Sequence, residues 1–172
     1  MTWVTVPAIA VLLALFAMLA RNGMLRLRNA VQESWKSLDT LLLERHDLLA
    51  ELVHVCTRHM RYEQAALERV ARMGAAASGA AARSDIPALA AAEKLLRASI
   101  SDLLALAENY PLLGAEPDFI KFRERLFRVN TAIIERRELY NSAVNLLNVR
   151  SQAFPHLLVA RAIRLHAQAL LE

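Results

Sequence analysis

The chain has 172 residues, 56% of them hydrophobic, with 21 Lys and Arg against 17 Asp and Glu and a net charge of +4; this length argues for one bundle, not two domains. A single cysteine, Cys56, excludes an internal disulfide. The arginines alternate with carboxylates instead of forming one block, which describes a solvated helical surface, so no nucleic-acid partner is expected.

No charged side chain occurs from Met1 to Ala20, and residues 4–20, VTVPAIAVLLALFAMLA, run apolar until Arg21. At about 1.5 Å per helical residue such a run spans roughly 26 to 30 Å, enough for a bilayer core. We therefore expect a transmembrane anchor over 1–21, with the lipid bilayer as its first partner, and a helical bundle domain over 22–172. A cleaved signal peptide would carry a basic start and small residues at its cleavage site; here no Lys or Arg precedes the run, and Met18 stands two residues before Ala20. A core helix apolar on every side would be hard to bury in so small a domain. Arg21, Arg26 and Arg28 follow the run, so the positive-inside rule predicts a single pass with the N-terminus outside and the bundle in the cytoplasm. Ala10 and Ala14, four apart, suit close packing of anchors and hence self-association.

Beyond Gly23 the stripe positions fall at spacings of three and four, Leu27, Val31, Ser34, Leu38, Leu41, Arg45, Leu48, Leu52, Val55 and His59, which predicts a long helix reaching about Met73. Such a stripe needs partner helices to cover it. Residues 74–84, GAAASGAAARS, read as a flexible connection. Ser84 or Asp85 then caps a second helix with Pro87 in its first turn, ended by Pro111 and Gly114. Glu116, Pro117 and Asp118 open a third helix that Pro155 breaks, and a short fourth follows to Leu171. No period-two alternation indicates a strand. The expected fold is all-α: an N-terminal transmembrane helix continuing into an elongated antiparallel long-helix bundle of about four helices.

Three stretches carry a family likeness. Residues 27–53, LRNAVQESWKSLDTLLLERHDLLAELV, residues 107–113, AENYPLL, and residues 135–148, ERRELYNSAVNLLN, followed by Phe154 and Pro155, together resemble the LemA family in order and over nearly the whole chain. Two departures stand out: Leu49-Ala50-Glu51 replaces the family's usual Ile-Pro-Asn, and the tail after Phe154-Pro155 lacks its usual Asn and Gly-Phe. The resemblance implies a bacterial membrane protein with a bundled domain; it implies no activity, because the family's biochemical function is not established.

Several polar residues occupy core-phase positions or sit in these motifs: Arg45, Glu93 and Arg136, with Asp39, Asp47, Glu108, Asn109, Arg137 and Asn141 nearby. Such a set reads either as an acid-base or anion site, because an enclosed carboxylate beside arginine titrates abnormally, or as buried pairs that fix helix register. The arginines neutralise the carboxylates, and no Ser-His or Cys-His nucleophile pair is evident. On the pairing reading, loss of Arg136 alone should cost about 3 to 5 kcal/mol. Cys56, His59 and Glu63 share one helix face as potential metal ligands, but His54 and Cys56 diverge, and a core cysteine among surface histidines accounts for them more simply. Glu108-Asn109-Tyr110-Pro111 reads as a helix stop or as a distal docking tip. No catalytic, cofactor or metal residue is therefore assigned. The expected role is a non-enzymatic, membrane-anchored scaffold or adaptor of the bacterial inner membrane, with a protein partner or self-association and no small-molecule substrate. A lipid-surface-binding or membrane-remodelling protein acting through its arginine-rich faces is the alternative.

Overall fold

The computed structural model describes residues 2–153, 156–162 and 167–171, with side chains from residue 14 onward. Among the described residues are six helices: α1 Thr2–His59, α2 Gln64–Ala82, α3 Ile86–Ala107, α4 Pro111–Gly114, α5 Pro117–Gln152 and α6 His156–Ala162. No strand occurs among the described residues, and the fold is all-α as expected. The break expected at Phe154-Pro155 lies outside the described residues. Residues 2–21 of the expected anchor form the start of α1, with the side chains of the first thirteen residues not described; among the described residues no helix is long and apolar enough to cross a membrane. The chain divides into two compact units, residues 1–35 with 139–170 and residues 36–138 with 171–172, and α1 and α5 contribute to both.

In the unit built from residues 36–138, the α1 stripe buries Leu38, Leu42, Leu48, Leu52, Val55 and Cys56. Each fully buried leucine contributes about 1.5 to 3 kcal/mol relative to exposure, so this stripe is what makes a helix of that length worth covering. Glu44 pairs with Arg125 at 3.0 Å and His59 approaches Glu116 at 4.0 Å. As the number rises along α1 it falls along α5, so the two run antiparallel.

The long helix expected to reach Met73 stops at His59. The chain reverses through Met60–Glu63, where Met60 is fully buried and Tyr62 is 95% exposed, and the backbone N–H of Glu63 donates to the Met60 carbonyl at 3.1 Å. This turn contains neither glycine nor proline. The apolar rhythm resumes at Leu67 and Val70, both buried, so periodicity gives no sign of the reversal.

The stretch expected to be a flexible connection is instead the body of α2. Gly74, Ala77, Ala80 and Ala81 are its buried face. Small side chains let two helix backbones approach closely, and that packing overrides the entropic cost of a glycine in a helix, about 1 kcal/mol. Arg69 near the start of α2 meets Asp102 near the end of α3 at 3.7 Å, so α2 and α3 form an antiparallel hairpin. Its turn is a Schellman closure: Ser84 N–H donates to Ala81 O at 2.8 Å and Asp85 N–H to Ala80 O at 3.0 Å. Ser84 takes the left-handed position with φ 52°. Asp85, not Ser84, is the cap of α3, its carboxylate accepting from Ala88 N–H at 3.1 Å.

In the other unit, Met24, Val31, Tyr140, Val144, Leu147 and Ala160 are buried. Trp35 and Tyr140 pack ring on ring, centroids 5.6 Å apart and tilted by 59°. The fourth helix expected to reach Leu171 ends at Ala162, and residues 167–171 are not helical. Asn148 explains why. Its amide donates to the Gln168 carbonyl and accepts from the Gln168 N–H, both at 2.9 Å, while the Tyr140 hydroxyl donates to the Ala169 carbonyl at 3.1 Å. The Gln168 N–H, committed to the Asn148 side chain, is not available to a helix.

Candidate functional site

Three charged or polar residues are buried among those described: Arg45, Glu93 and Ser99. Ser99 satisfies itself by donating to the Leu95 carbonyl at 2.9 Å. Arg45 on α1 and Glu93 on α3 make a two-pronged pair, with Nη1 donating to Oε2 at 2.9 Å and Nη2 to Oε1. Two parallel charge-assisted bonds fix both distance and rotation between the helices. The Arg45 Nε has no protein acceptor, although it is buried.

The other residues expected in this network are dispersed. Arg136 is exposed on α5, as are Asp47, Glu108 and Asn109. Asp39 is half-buried. The core-phase placement of Arg136 fails because the α5 stripe turns inward at Ile133 and Tyr140, and three residues past Ile133 a side chain that long reaches water. Arg137 is half-buried and lines the same cavity as Arg45 and Glu93. Asn141 is half-buried in the other compact unit. Thus the structure brings Arg45, Glu93 and Arg137 together and leaves the rest apart.

That cavity measures about 160 Å³ and is walled by Leu42, Ile100, Ile133 and Ile134, with Arg97, Asn130 and Arg137 as its further polar residues. A larger trough of about 670 Å³ runs between α3 and α5. Leu104, Phe119, Leu126 and Phe127 give it a mostly apolar lining, and Ile100 and Asn130 border both spaces. Arg97 and Asn130 are not noticeable from sequence, because neither stands in a motif and each is simply one polar residue on an amphipathic helix.

At the end of this unit the Met60–Glu63 turn meets the turn before α4. The Tyr110 hydroxyl donates to Glu63 Oε1 at 3.3 Å, and burial, then the Glu63 charge, pushes the Tyr110 phenol above its usual range. Tyr62 and Leu112 are strongly exposed there, at 95% and 79%. The Cys56 thiol, fully buried, is pushed up to about 11 by that burial, which suppresses the thiolate a metal or an electrophile would require. His54 is exposed, whereas His59 faces Glu116. Among the described residues no three His, Cys, Asp or Glu side chains converge as metal ligands.

The family model of the LemA family matches residues 34–172, and the chain belongs to that family. The match takes in Trp35, Arg45, Glu93, Tyr110, Tyr140 and Asn148, the residues whose contacts hold each unit together. No curated protein matches the chain.

Proposed function

We propose that this LemA-family chain is a membrane-anchored helical scaffold or adaptor of the bacterial cell envelope, single-pass in the inner membrane with its N-terminus outside and its bundle cytoplasmic, and that it performs no catalysis. One observation carries the anchoring: Leu15, Phe16, Met18 and Leu19 are 53%, 44%, 61% and 63% exposed. At about 100° per residue these four positions cover an arc of about 160°, and the exposed Ala14 and Ala17 occupy the opposite side, within a stretch that has no charge before Arg21. An apolar surface on several sides of one helix suits hydrocarbon better than water. The bundle then serves as a rigid platform, and its exposed Tyr62 and Leu112 are suited to contact a protein partner.

Alkaline carbonate extraction of membranes from cells producing the full chain tests the anchor. The chain should stay with the bilayer, and a Leu15→Lys/Leu19→Lys variant should be released; extraction of the unaltered chain contradicts the reading. Photocrosslinking from position 62 in those membranes tests the adaptor role. A discrete second protein supports it, self-adducts alone replace it with a homo-oligomeric scaffold, and the absence of adducts counts against both.

A further inference from the structure

We propose that the trough between α3 and α5 is a binding site for a single-chain anionic amphiphile, whose carboxylate or phosphate head lies at Arg97 and Arg137 and whose aliphatic tail lies along Leu104 and Phe127. The proposal is independent of the anchor, because every residue lining the two spaces lies in the unit of residues 36–138 with 171–172.

Charge distinguishes the two ends. The smaller cavity holds Arg45, Arg97 and Arg137 against one carboxylate, Glu93, and that carboxylate is consumed by Arg45. Arg97 and Arg137 make no hydrogen bond or ion pair with any described residue. Two guanidinium groups without a carboxylate partner among the described residues therefore stand at the rim of a space walled by Leu42, Ile133, Ile134 and Leu171, where their planar forks suit an anionic head group. The buried Arg45 Nε adds an N–H donor that the protein leaves without an acceptor. In the trough, by contrast, Arg123 and Arg128 are balanced by Glu108 and Glu124, so its field is weak and its floor apolar.

Size then selects among anions. The head cavity, about 160 Å³, is too small for a helix, which needs about 10 to 12 Å across, but it admits a carboxylate or phosphate group. From Asn130 to Phe119 the trough follows α5 for about 16 Å, close to half of the roughly 30 Å hydrocarbon core that two acyl chains fill end to end. Its volume of about 670 Å³ lies within the range of about 300 to 1,000 Å³ common for small-ligand sites. Phe127 is 73% exposed at its edge, an apolar cost that an acyl chain laid beside it would relieve.

The test uses the full chain in nanodiscs of phosphatidylcholine and three photoreactive probes with the same diazirine-bearing chain: the fatty acid, the monoacylglycerol phosphate and the neutral fatty alcohol. Adducts mapped by mass spectrometry should fall near Leu104 on α3 and near Phe127 on α5. The two anionic probes should label there about tenfold or more above the alcohol, the margin one or two charge-assisted bonds provide. Preference for the fatty acid assigns the ligand to free carboxylate amphiphiles, and preference for the phosphate assigns it to a lysolipid. Arg97→Gln/Arg137→Gln should abolish that margin while leaving the thermal melt unchanged, and Phe127→Lys should remove trough adducts by blocking the tail. Equal labelling by the alcohol, labelling unaffected by the double variant, or adducts confined to residues 1–21 overturns the proposal. So does the absence of acyl adducts in the trough, which would leave that face to a partner helix.

Discussion

Arg45 and the pair Arg97 and Arg137 stand around one cavity, yet they live under opposite rules. Arg45 is buried and spends its guanidinium on Glu93; Arg97 is exposed, Arg137 half-buried, and neither has a partner among the described residues. A buried charge is tolerable only when paired, so Arg45 is committed to holding α1 against α3. A charge at the rim keeps its hydration and stays available. The same residue type therefore builds the structure at one position and leaves a binding surface at another, a few ångströms of depth deciding which.

The largest effect that could break this contrast is at the buried pair. Arg45→Met or Glu93→Leu alone should destabilise the chain by about 3 to 5 kcal/mol, since each leaves an unpaired charge inside; chemical denaturation of the full chain measures it. Next comes Cys56, buried on the same helix. Its thiol should resist iodoacetamide at pH 8 in the folded chain and react readily once unfolded. Because its folded pKa of about 11 lies above the unfolded value of about 8.5, the stability linked to it is complete below pH 8 and declines as pH rises through 11. Exposure does not always mean a small effect, and Asp85 sharpens that point. Its carboxylate satisfies a backbone N–H of α3, so Asp85→Ala should cost about 1 kcal/mol in a thermal melt. Ser84→Gly beside it should stabilise by about 0.5 to 1 kcal/mol, because the left-handed backbone strains serine and not glycine. The smallest effect belongs to Arg136. As it is exposed and has no ion-pair partner among the described residues, its change to Ala should alter stability by no more than about 0.5 kcal/mol, not the 3 to 5 that a core position would imply.

Much of this architecture is legible in the sequence where apolar spacing is regular. The α1 stripe, the proline-opened α3 and α5, and the Arg45 and Glu93 positions all follow from a three-four rhythm interrupted by polar residues at its core phase. The rhythm misleads in three places, each for a physical reason. At Met60–Glu63 the chain reverses without a glycine or proline, because a buried Met60 holds the turn from within. In α2 glycine and alanine serve close helix packing, although the same composition makes flexible linkers elsewhere. At Arg136 the phase of the α5 stripe, carried over from its apolar neighbours, places inside a residue whose length takes its charge to water. The trough itself has no linear signature at all. Its floor is assembled from single positions on α3 and α5, and Arg97 and Asn130 acquire meaning only from where those helices bring them.

The functional reading depends on the polar core being structural, so that Arg45 and Glu93 act as one unit and the chemistry of the protein lies in its surfaces. A double-mutant cycle on the full chain tests this directly. With Arg45→Met and Glu93→Leu each costing about 3 to 5 kcal/mol, the double variant should recover most of that loss, because two apolar side chains replace a satisfied pair without stranding either charge. Single variants that cost less than about 1 kcal/mol, or costs that simply add in the double variant, would contradict it.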